Sequence, residues 1–266
     1  MYHRFRFCIF LLGSILVLGL PACQFTPAGQ IATPKSTDFS LATSTIVEPT
    51  QTSTIRPTSL ESTPDLSVYE FPELIEPAGK YIFYLHGRIV EEQGIHAKSI
   101  IYGEYEYEGI LNALHDAGFF VISEPRPRNA DIWEYAEKIE RQVKRLLDAK
   151  VPPNQITVVG ASKGAIIAVA ASYLLKNENI KFVLLAGCSP EMTENWKSEQ
   201  VSLFGKVLSI YDASDTVARS CMDFFALDGG KGISEYDEIV LSVGTGHGIL
   251  YKPLDEWMKP VIKWAK

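Results

Sequence analysis

A chain of 266 residues, 46% of them hydrophobic, is long enough for one domain with a sizeable core and some additional segments. A net charge of -7 and the lack of a basic stripe with interleaved aromatic residues exclude nucleic acid as an expected partner. The sequence has no Walker A pattern, no dinucleotide-binding fingerprint and no Cys/His cluster with zinc spacing, so we expect no cofactor and no metal.

The N-terminus has the pattern of an export signal. Arg4 and Arg6 precede the apolar run Cys8 to Leu20, which has the length of a signal-peptide core and is short for a bilayer span. The following "LPAC", which ends at Cys23, resembles the bacterial lipobox, whose cysteine is lipidated and becomes the new N-terminus. The resemblance implies a lipoprotein signal peptide at 1–22 and an exported protein anchored in the membrane of the bacterial cell envelope. The alternative is an ordinary cleaved signal peptide with an incidental cysteine.

Residues 23–70 follow as a predicted tether. Nearly half of the residues between Gln24 and Glu70 are Ser, Thr or Pro, and few are aromatic. Such a segment cannot bury enough apolar surface to offset its ordering entropy. We therefore expect a disordered spacer between the membrane and a domain at 71–266.

From residue 71 onward, strand patterns and helix patterns alternate. In chain order they are a strand in KYIFYLHG, a helix in YEYEGILNALHDAG, a strand in FFVISE, a long helix in IWEYAEKIERQVKRLLDAK, a strand in QITVVG and the helix after it, strands in IKFVLLAG, KVLSIYD and EIVLSVG, and a C-terminal helix from about Leu250. Nearly continuous apolar strands separated by helices predict a three-layer α/β sandwich, with a mostly parallel central sheet and helices on both faces. The segment from Gly187 to Gly205 is too short for a large helical cap.

The stretch ITVVGASKGAIIAV places Gly160, Ser162 and Gly164 between a predicted strand and a predicted helix. One interpretation is an ordinary turn that needs glycine for its geometry. The other is a nucleophile elbow, a sharp turn that lifts the serine hydroxyl clear of the sheet edge. Ligands of parallel sheets bind beyond the carboxyl ends of the strands, so other polar residues that directly follow strands bear on this choice.

Two such residues are Asp215, after KVLSIYD, and His247, after EIVLSV. Each successive pair in the order Ser162, Asp215, His247 is separated by one or two strand–helix units, and this is the chain order of the α/β-hydrolases. A fourth motif, "LHGR" at Leu85 to Arg88, ends an early strand. On these four motifs, residues 71–266 resemble the α/β-hydrolase superfamily.

The resemblance implies a serine hydrolase that acts on a small-molecule carboxylic ester through an acyl-enzyme. Ser162 would be the nucleophile, His247 the base and Asp215 the acid that orients the imidazole. The backbone N–H groups of Arg88 and Lys163 would form the oxyanion hole.

Several alternatives stay open. Asp212 is a second candidate for the acid, and His86 is a second histidine, although its place in His-Gly indicates a structural role. Acyltransferases, thioesterases and peptidases use the same residue types, and an inactive binding protein can retain the scaffold. The sequence indicates no oligomeric state.

Two further features concern the loops around the site. Cys188 and Cys221 follow consecutive strands at one sheet edge, so they form either a disulfide, which would stabilise the fold by roughly 3 kcal/mol, or two buried thiols. The basic side chains of the predicted loops either make the site favour an acidic ester or are simply solvated; they are those of Arg88, Arg126, Arg128 and Lys163.

Overall fold

The structure is a computed structural model that describes residues 66–266. The predicted signal peptide, Cys23 and residues 23–65 of the predicted tether lie outside the described residues. Packing begins before residue 71, because a 3-10 turn at Leu66–Tyr69 buries Tyr69. The backbone carbonyl of Tyr69 also accepts a hydrogen bond from the N–H of Ser123 at 2.8 Å.

Within residues 66–266, six parallel strands form the central sheet. They are β1 (Tyr81–Leu85), β4 (Phe120–Ile122), β5 (Ile156–Ala161), β6 (Lys181–Leu185), β7 (Gly205–Asp212) and β8 (Ile233–Leu241). Their order in the sheet is β4, β1, β5, β6, β7, β8. The short strands β2 (Lys98–Ser99) and β3 (Gly103–Glu104) form a separate antiparallel hairpin. All six strands of the main sheet therefore end at the same edge, where the predicted functional residues follow them.

Helices cover both faces of the sheet. One face packs against α3 (Ile132–Asp148), α4 (Lys163–Leu175), α5 (Pro190–Ser198) and α6 (Met222–Phe225). The other packs against α1 (Arg88–Gln93), α2 (Tyr107–Asp116) and α7 (Asp255–Ala265). Alternate strand residues enter the two cores because successive side chains of a strand point to opposite faces. The predicted three-layer sandwich is confirmed.

Two element boundaries differ from the sequence prediction. The C-terminal helix begins at Asp255 and not near Leu250, because Pro253 disfavours helical backbone in the residue before it, and Lys252 is extended. Strand β8 begins at Ile233, ahead of the predicted EIVLSVG. Its first residues are mostly polar and exposed, as befits a strand at the sheet edge, so they lack the apolar run that marks a buried strand.

The segment between β6 and β7 contains α5 and no separate cap. The side chain of Ser189 accepts a hydrogen bond from the N–H of Met192, which caps the start of this helix. Met192 and Trp196 are buried in the core on the α4 face. Helix α5 is thus part of the domain's packed layer.

Candidate active site

Ser162 occupies a sharp turn between β5 and α4. Its backbone has φ 50° and ψ -117°, a combination that residues with a side chain rarely adopt. The turn is held by hydrogen bonds from the Ser162 N–H to the Leu185 carbonyl at 2.9 Å and from the Ala165 N–H to the Ser162 carbonyl at 2.8 Å. This is the local geometry of a nucleophile elbow.

Gly160 and Gly164 make this turn sterically feasible. A Cβ atom on Gly160 would lie 2.5 Å from the backbone nitrogen of Ala165, at the start of α4. A Cβ atom on Gly164 would overlap the carbonyl group of Leu85, the last residue of β1. The glycines of Gly-x-Ser-x-Gly are therefore needed for the close approach of β5, α4 and the end of β1.

His247 lies between Ser162 and Asp215. Its Nε2 is 3.0 Å from Ser162 Oγ, and its Nδ1 is 2.8 Å from Asp215 Oδ2. Because an ionised carboxylate only accepts hydrogen bonds, we assign the ring proton to Nδ1, which leaves Nε2 to accept from the serine hydroxyl. The arrangement can move a proton from Ser162 to His247 when the serine oxygen attacks an electrophile.

The Asp215 carboxylate is buried and held in place by the loop that carries it. Its Oδ1 accepts hydrogen bonds from the N–H groups of Val217 at 2.7 Å and Ala218 at 3.0 Å. The second oxygen, Oδ2, is therefore directed to His247. These bonds are made within a short loop after β7, so the carboxylate is oriented before any ligand binds.

Asp212, the alternative acid, is also buried but bonds only to neighbouring loops in the described hydrogen bonds. Its Oδ1 accepts from the N–H and hydroxyl of Ser214, and its Oδ2 accepts from the N–H groups of Val243 at 2.8 Å and Gly244 at 3.0 Å. Burial alone would raise the pKa of Asp212, but these hydrogen bonds outweigh it and lower the pKa below its usual value. Asp212 thus ties together the two loops that present Asp215 and His247.

The predicted oxyanion donors are the first residues of two helices. Arg88 begins α1 and Lys163 begins α4, so neither backbone N–H has an acceptor within its own helix. Gly87 packs against the elbow, since a Cβ atom on it would lie 3.8 Å from the Cβ of Ser162. The starts of α1 and α4 therefore lie beside Ser162, and the donor roles of the two amides stay predictions.

His86 is buried and makes two hydrogen bonds with backbone groups. Its Nε2 accepts from the Arg126 N–H at 2.8 Å, so its Nδ1 carries the proton and donates to the Gly87 carbonyl at 2.8 Å. Burial, together with the positive charge of Arg126, lowers the pKa of His86 to about 3. The neutral ring joins the loop before Arg88 to the loop after β4, which supports the structural role.

We expect His86 to make the folded domain less stable as the pH falls. In the unfolded chain His86 takes up a proton near pH 6.5, whereas in the folded domain it does so only near pH 3. Between these values the unfolded chain binds more protons than the folded domain. As the pH falls through this range, His86 therefore lowers the free energy of unfolding by up to about 1.4 kcal/mol per pH unit. The free energy of unfolding, measured with urea at several pH values between 6 and 4, should depend less steeply on pH for His86→Gln than for the unmodified chain. Equal slopes would contradict this expectation.

A buried charged cluster of Glu91, Arg126 and Lys163 lies behind these loops, and sequence analysis did not identify it. Glu91 Oε1 accepts from Arg126 Nε at 2.8 Å, and Glu91 Oε2 accepts from Lys163 Nζ at 2.5 Å. The side chains of Glu91 and Arg126 are each 1% exposed. The only sequence signal was a pair of adjacent glutamates in RIVEEQ, which is typical of an exposed helix face.

Of the four basic side chains, Arg126 and Lys163 belong neither to a free basic mouth nor to the solvated surface. Arg126 is buried, and Lys163 is paired with the same carboxylate as Arg126. Arg88 and Arg128 are exposed, but they bond to the side chain and the backbone carbonyl of Glu92, respectively. The positive charges are thus paired with carboxylates or directed to carbonyls.

Cys188 and Cys221 are joined by a disulfide, with their Cα atoms 5.2 Å apart. The Arg219 N–H donates to the Cys188 carbonyl at 2.8 Å, which adds an antiparallel bridge beside the disulfide. Together they connect the loop after β6 to the segment that follows Asp215. The disulfide therefore restrains one side of the candidate site.

Among residues 66–266, no group of three or more His, Cys, Asp or Glu side chains is arranged to hold a metal ion. No helix in this range has both the length and the apolar character needed to cross a membrane.

No protein-family model and no curated protein matches this chain. Solved structures that resemble it include Arabidopsis thaliana SOBER1, at 13% identity and a TM-score of 0.49, covering 71% of this chain and 98% of that chain. A second is a putative carboxylesterase from Lactobacillus plantarum, at 15% identity and a TM-score of 0.48, covering 72% of this chain and 90% of that chain. A third is the esterase Pf2001 from Pyrococcus furiosus, at 17% identity and a TM-score of 0.45, covering 70% of this chain and 82% of that chain.

At these values the neighbours carry no activity over to this chain, and its fold rests on its own geometry. The parallel sheet lies between two helical layers, and β5 leads through a strained Ser162 into α4. Asp215 follows β7 and His247 follows β8 at the same edge of the sheet. This is the α/β-hydrolase fold, with Ser162 at the sharp turn between β5 and α4.

Proposed function

We propose that this protein is a serine hydrolase that cleaves carboxylic esters through an acyl-enzyme. The observation that carries the proposal is the unbroken hydrogen-bonded series from Ser162 Oγ through His247 to the buried Asp215 carboxylate. A serine hydroxyl is a poor nucleophile unless a base removes its proton during attack. His247 is within hydrogen-bond distance to do so, and Asp215 fixes its tautomer.

The reaction follows from these three groups. Ser162 Oγ bonds to the ester carbonyl carbon as His247 Nε2 takes the hydroxyl proton, and the carbonyl oxygen becomes an oxyanion. When the carbonyl re-forms, the bond to the alcohol oxygen breaks, and His247 gives its proton to that oxygen. His247 then takes a proton from water as the water attacks the acyl-enzyme. The resulting intermediate releases the carboxylic acid, and Ser162 regains its proton.

The N–H groups of Arg88 and Lys163 are assigned to the developing oxyanion in both halves of this cycle. Their position at helix starts supports the assignment, because such N–H groups have no acceptor within the helix. Each donor of this kind contributes on the order of 100-fold or more in rate.

We assign a small, uncharged ester as the substrate class. The basic side chains around the loops support this, because Arg126 is buried and both Arg126 and Lys163 donate to Glu91, so neither side chain offers a free donor to an acidic group. Amides, thioesters and acyl transfer to an alcohol use the same catalytic groups. A comparison of matched ester, thioester and amide substrates, with and without an added alcohol, distinguishes these reactions.

Labelling of the full chain with a fluorophosphonate tests the proposal. The reagent phosphonylates an activated serine, so we expect a single adduct on the tryptic peptide that contains Ser162, together with turnover of p-nitrophenyl acetate and butyrate. A folded chain that shows neither labelling nor turnover would favour the alternative, an inactive binding protein on a hydrolase scaffold.

The two buried aspartates should differ in their effects. Asp215→Asn removes the carboxylate that pairs with His247 Nδ1, and we expect kcat to fall on the order of 10⁴-fold with little change in the thermal midpoint. Asp212→Asn weakens hydrogen bonds between two loops, so we expect a lower thermal midpoint and a much smaller loss of kcat. Steady-state kinetics and thermal unfolding of both variants check this. The reverse order of kcat losses would assign the acid role to Asp212.

We also propose that the mature protein is a lipoprotein anchored through Cys23 in a bacterial cell envelope. The charged start, the apolar run and the "LPAC" motif support this assignment. In a bacterial host the full chain should enter the detergent phase on Triton X-114 partitioning, and Cys23→Ser should remain in the aqueous phase or fail to be processed. An intact mass that shows an unmodified N-terminus at a residue other than Cys23 would contradict it.

A further inference from the structure

Glu91 connects the two helices whose first residues carry the proposed oxyanion donors. It lies in the first turn of α1, which begins at Arg88. Its Oε2 accepts a hydrogen bond from Lys163 Nζ at 2.5 Å, and Lys163 is the first residue of α4. One ion pair therefore joins the starts of α1 and α4 directly.

Arg126 extends this connection to the loop that precedes Arg88. Its Nε donates to Glu91 Oε1 at 2.8 Å, and its Nη2 donates to the backbone carbonyl of His86. The backbone N–H of Arg126 donates to His86 Nε2 at 2.8 Å. Both oxygens of Glu91 are thus engaged, one toward the loop before α1 and one toward the elbow.

The burial of this cluster is difficult to explain by stability alone. The side chains of Glu91 and Arg126 are 1% exposed, and that of Lys163 is 17% exposed. Removing charges from water costs free energy that their attraction often does no more than offset, and buried pairs are frequently replaceable by apolar side chains without loss of stability. What a satisfied buried cluster provides is a rigid arrangement of the segments that it joins.

We infer that Glu91 is a positioning residue, which acts through Lys163 and Arg126 to set the separation of the Arg88 and Lys163 backbone N–H groups. The inference rests on the proposed function, since it concerns the oxyanion hole of that same site. Donors in a preorganised hole act only when they point to where the oxyanion forms, and a displacement of about 1 Å can cost on the order of 100-fold in rate.

This role makes the Lys163 side chain and the Lys163 backbone separable. The Nζ group binds Glu91 Oε2 and, at 2.7 Å, the carbonyl of Ala130, while the backbone N–H is the proposed donor. Replacing Lys163 with methionine leaves the backbone N–H in place and removes the side-chain bonds to Glu91 and to the Ala130 carbonyl; Glu91→Gln, which leaves the Ala130 carbonyl and the Lys163 side chain in place, separates the two bonds. The partial exposure of Lys163 and the unbranched shape of methionine favour a folded Lys163→Met variant.

Lys163→Met in the full chain is the principal test, with Lys144→Met as the matched control. Lys144 also binds a carboxylate, Glu140 Oε1 at 2.7 Å, but on the exposed surface of α3. For p-nitrophenyl butyrate we expect Lys163→Met to lower kcat by about 10- to 100-fold with KM changed by less than about threefold. Lys144→Met should match the unmodified chain in both constants.

A pair of ketones reports on the oxyanion hole itself. A trifluoromethyl ketone with the butyrate chain adds to Ser162 and places an oxyanion in the hole, whereas the matching methyl ketone binds without adding. Lys163→Met should lower the affinity for the trifluoromethyl ketone by the same factor as it lowers kcat/KM, and it should leave the affinity for the methyl ketone unchanged. Glu91→Gln should act in the same direction, and the double variant should lose no more than about the larger single loss, because the two side chains act together.

The outcomes separate this inference from the proposed function. If the unmodified chain hydrolyses the ester and a folded Lys163→Met variant matches it in kcat and in trifluoromethyl ketone affinity, the positioning role is overturned and the hydrolase assignment stands. The positioning role is also overturned if Lys163→Met changes KM but not kcat, or if its loss of activity is fully accounted for by a lowered thermal midpoint. If the unmodified chain shows neither turnover nor fluorophosphonate labelling, both assignments fall.

Discussion

Ser162→Ala is expected to reduce ester turnover on the order of 10⁴- to 10⁶-fold and to abolish fluorophosphonate labelling. The substitution removes the oxygen that forms the acyl-enzyme, and no other described hydroxyl hydrogen-bonds to His247 Nε2. Rate constants for p-nitrophenyl butyrate, measured with enough protein to detect slow turnover, check the expectation. The trifluoromethyl ketone should also lose its affinity, since it has no serine to which to add.

Two controls make this result specific. His247→Ala should cost about as much as Ser162→Ala, and the double variant should cost little more, because groups that act as one unit do not lose activity additively. The circular dichroism spectrum of Ser162→Ala should match that of the unmodified chain, since Gly160 and Gly164 provide the close approach that the turn requires. If Ser162→Ala cleaves short activated esters as well as the unmodified chain, the elbow is only a turn.

The elbow and its partners could be predicted because their causes are local. Gly160 and Gly164 are required by a turn that lies between a strand and a helix in the sequence. A buried strand can be predicted from a run of only a few apolar residues. Once a parallel sheet is predicted, the residues that follow its strands must come to one edge. That rule places Asp212, Asp215 and His247 at this edge, the resemblance to the α/β-hydrolases favours Asp215 as the acid, and the structure brings Asp215 and His247 to Ser162.

The charged cluster could not be predicted because its cause is not local. Glu91 pairs with residues 35 and 72 positions away in the sequence. In the sequence, each of the three charged residues is indistinguishable from a residue on the solvent-exposed surface. The pairing of Cys188 with Cys221 was open for a related reason. Spacing placed both cysteines at one edge, but only the positions of two loops decide whether their sulfur atoms meet.

Gly164→Ala is expected to destabilise the domain by about 3 kcal/mol or more, and to lower activity in whatever fraction stays folded. The new methyl group would overlap the Leu85 carbonyl, which is backbone and cannot move to another rotamer. Leu85 is paired with Gly160 in the adjacent strand, so β1 cannot shift without disturbing the sheet. A shift would also move the loop from His86 to Arg88, which carries a proposed oxyanion donor.

Gly109→Ala is the matched control, because Gly109 is also a helical glycine. A Cβ atom on Gly109 would meet no atom closer than 3.4 Å, so alanine at this position of α2 should be neutral or stabilising by up to about 1 kcal/mol. Urea unfolding of the two variants measures the difference directly. Equal stabilities would mean that β1 and α4 yield at little cost, and the close approach at the elbow would then not be the reason for glycine at position 164.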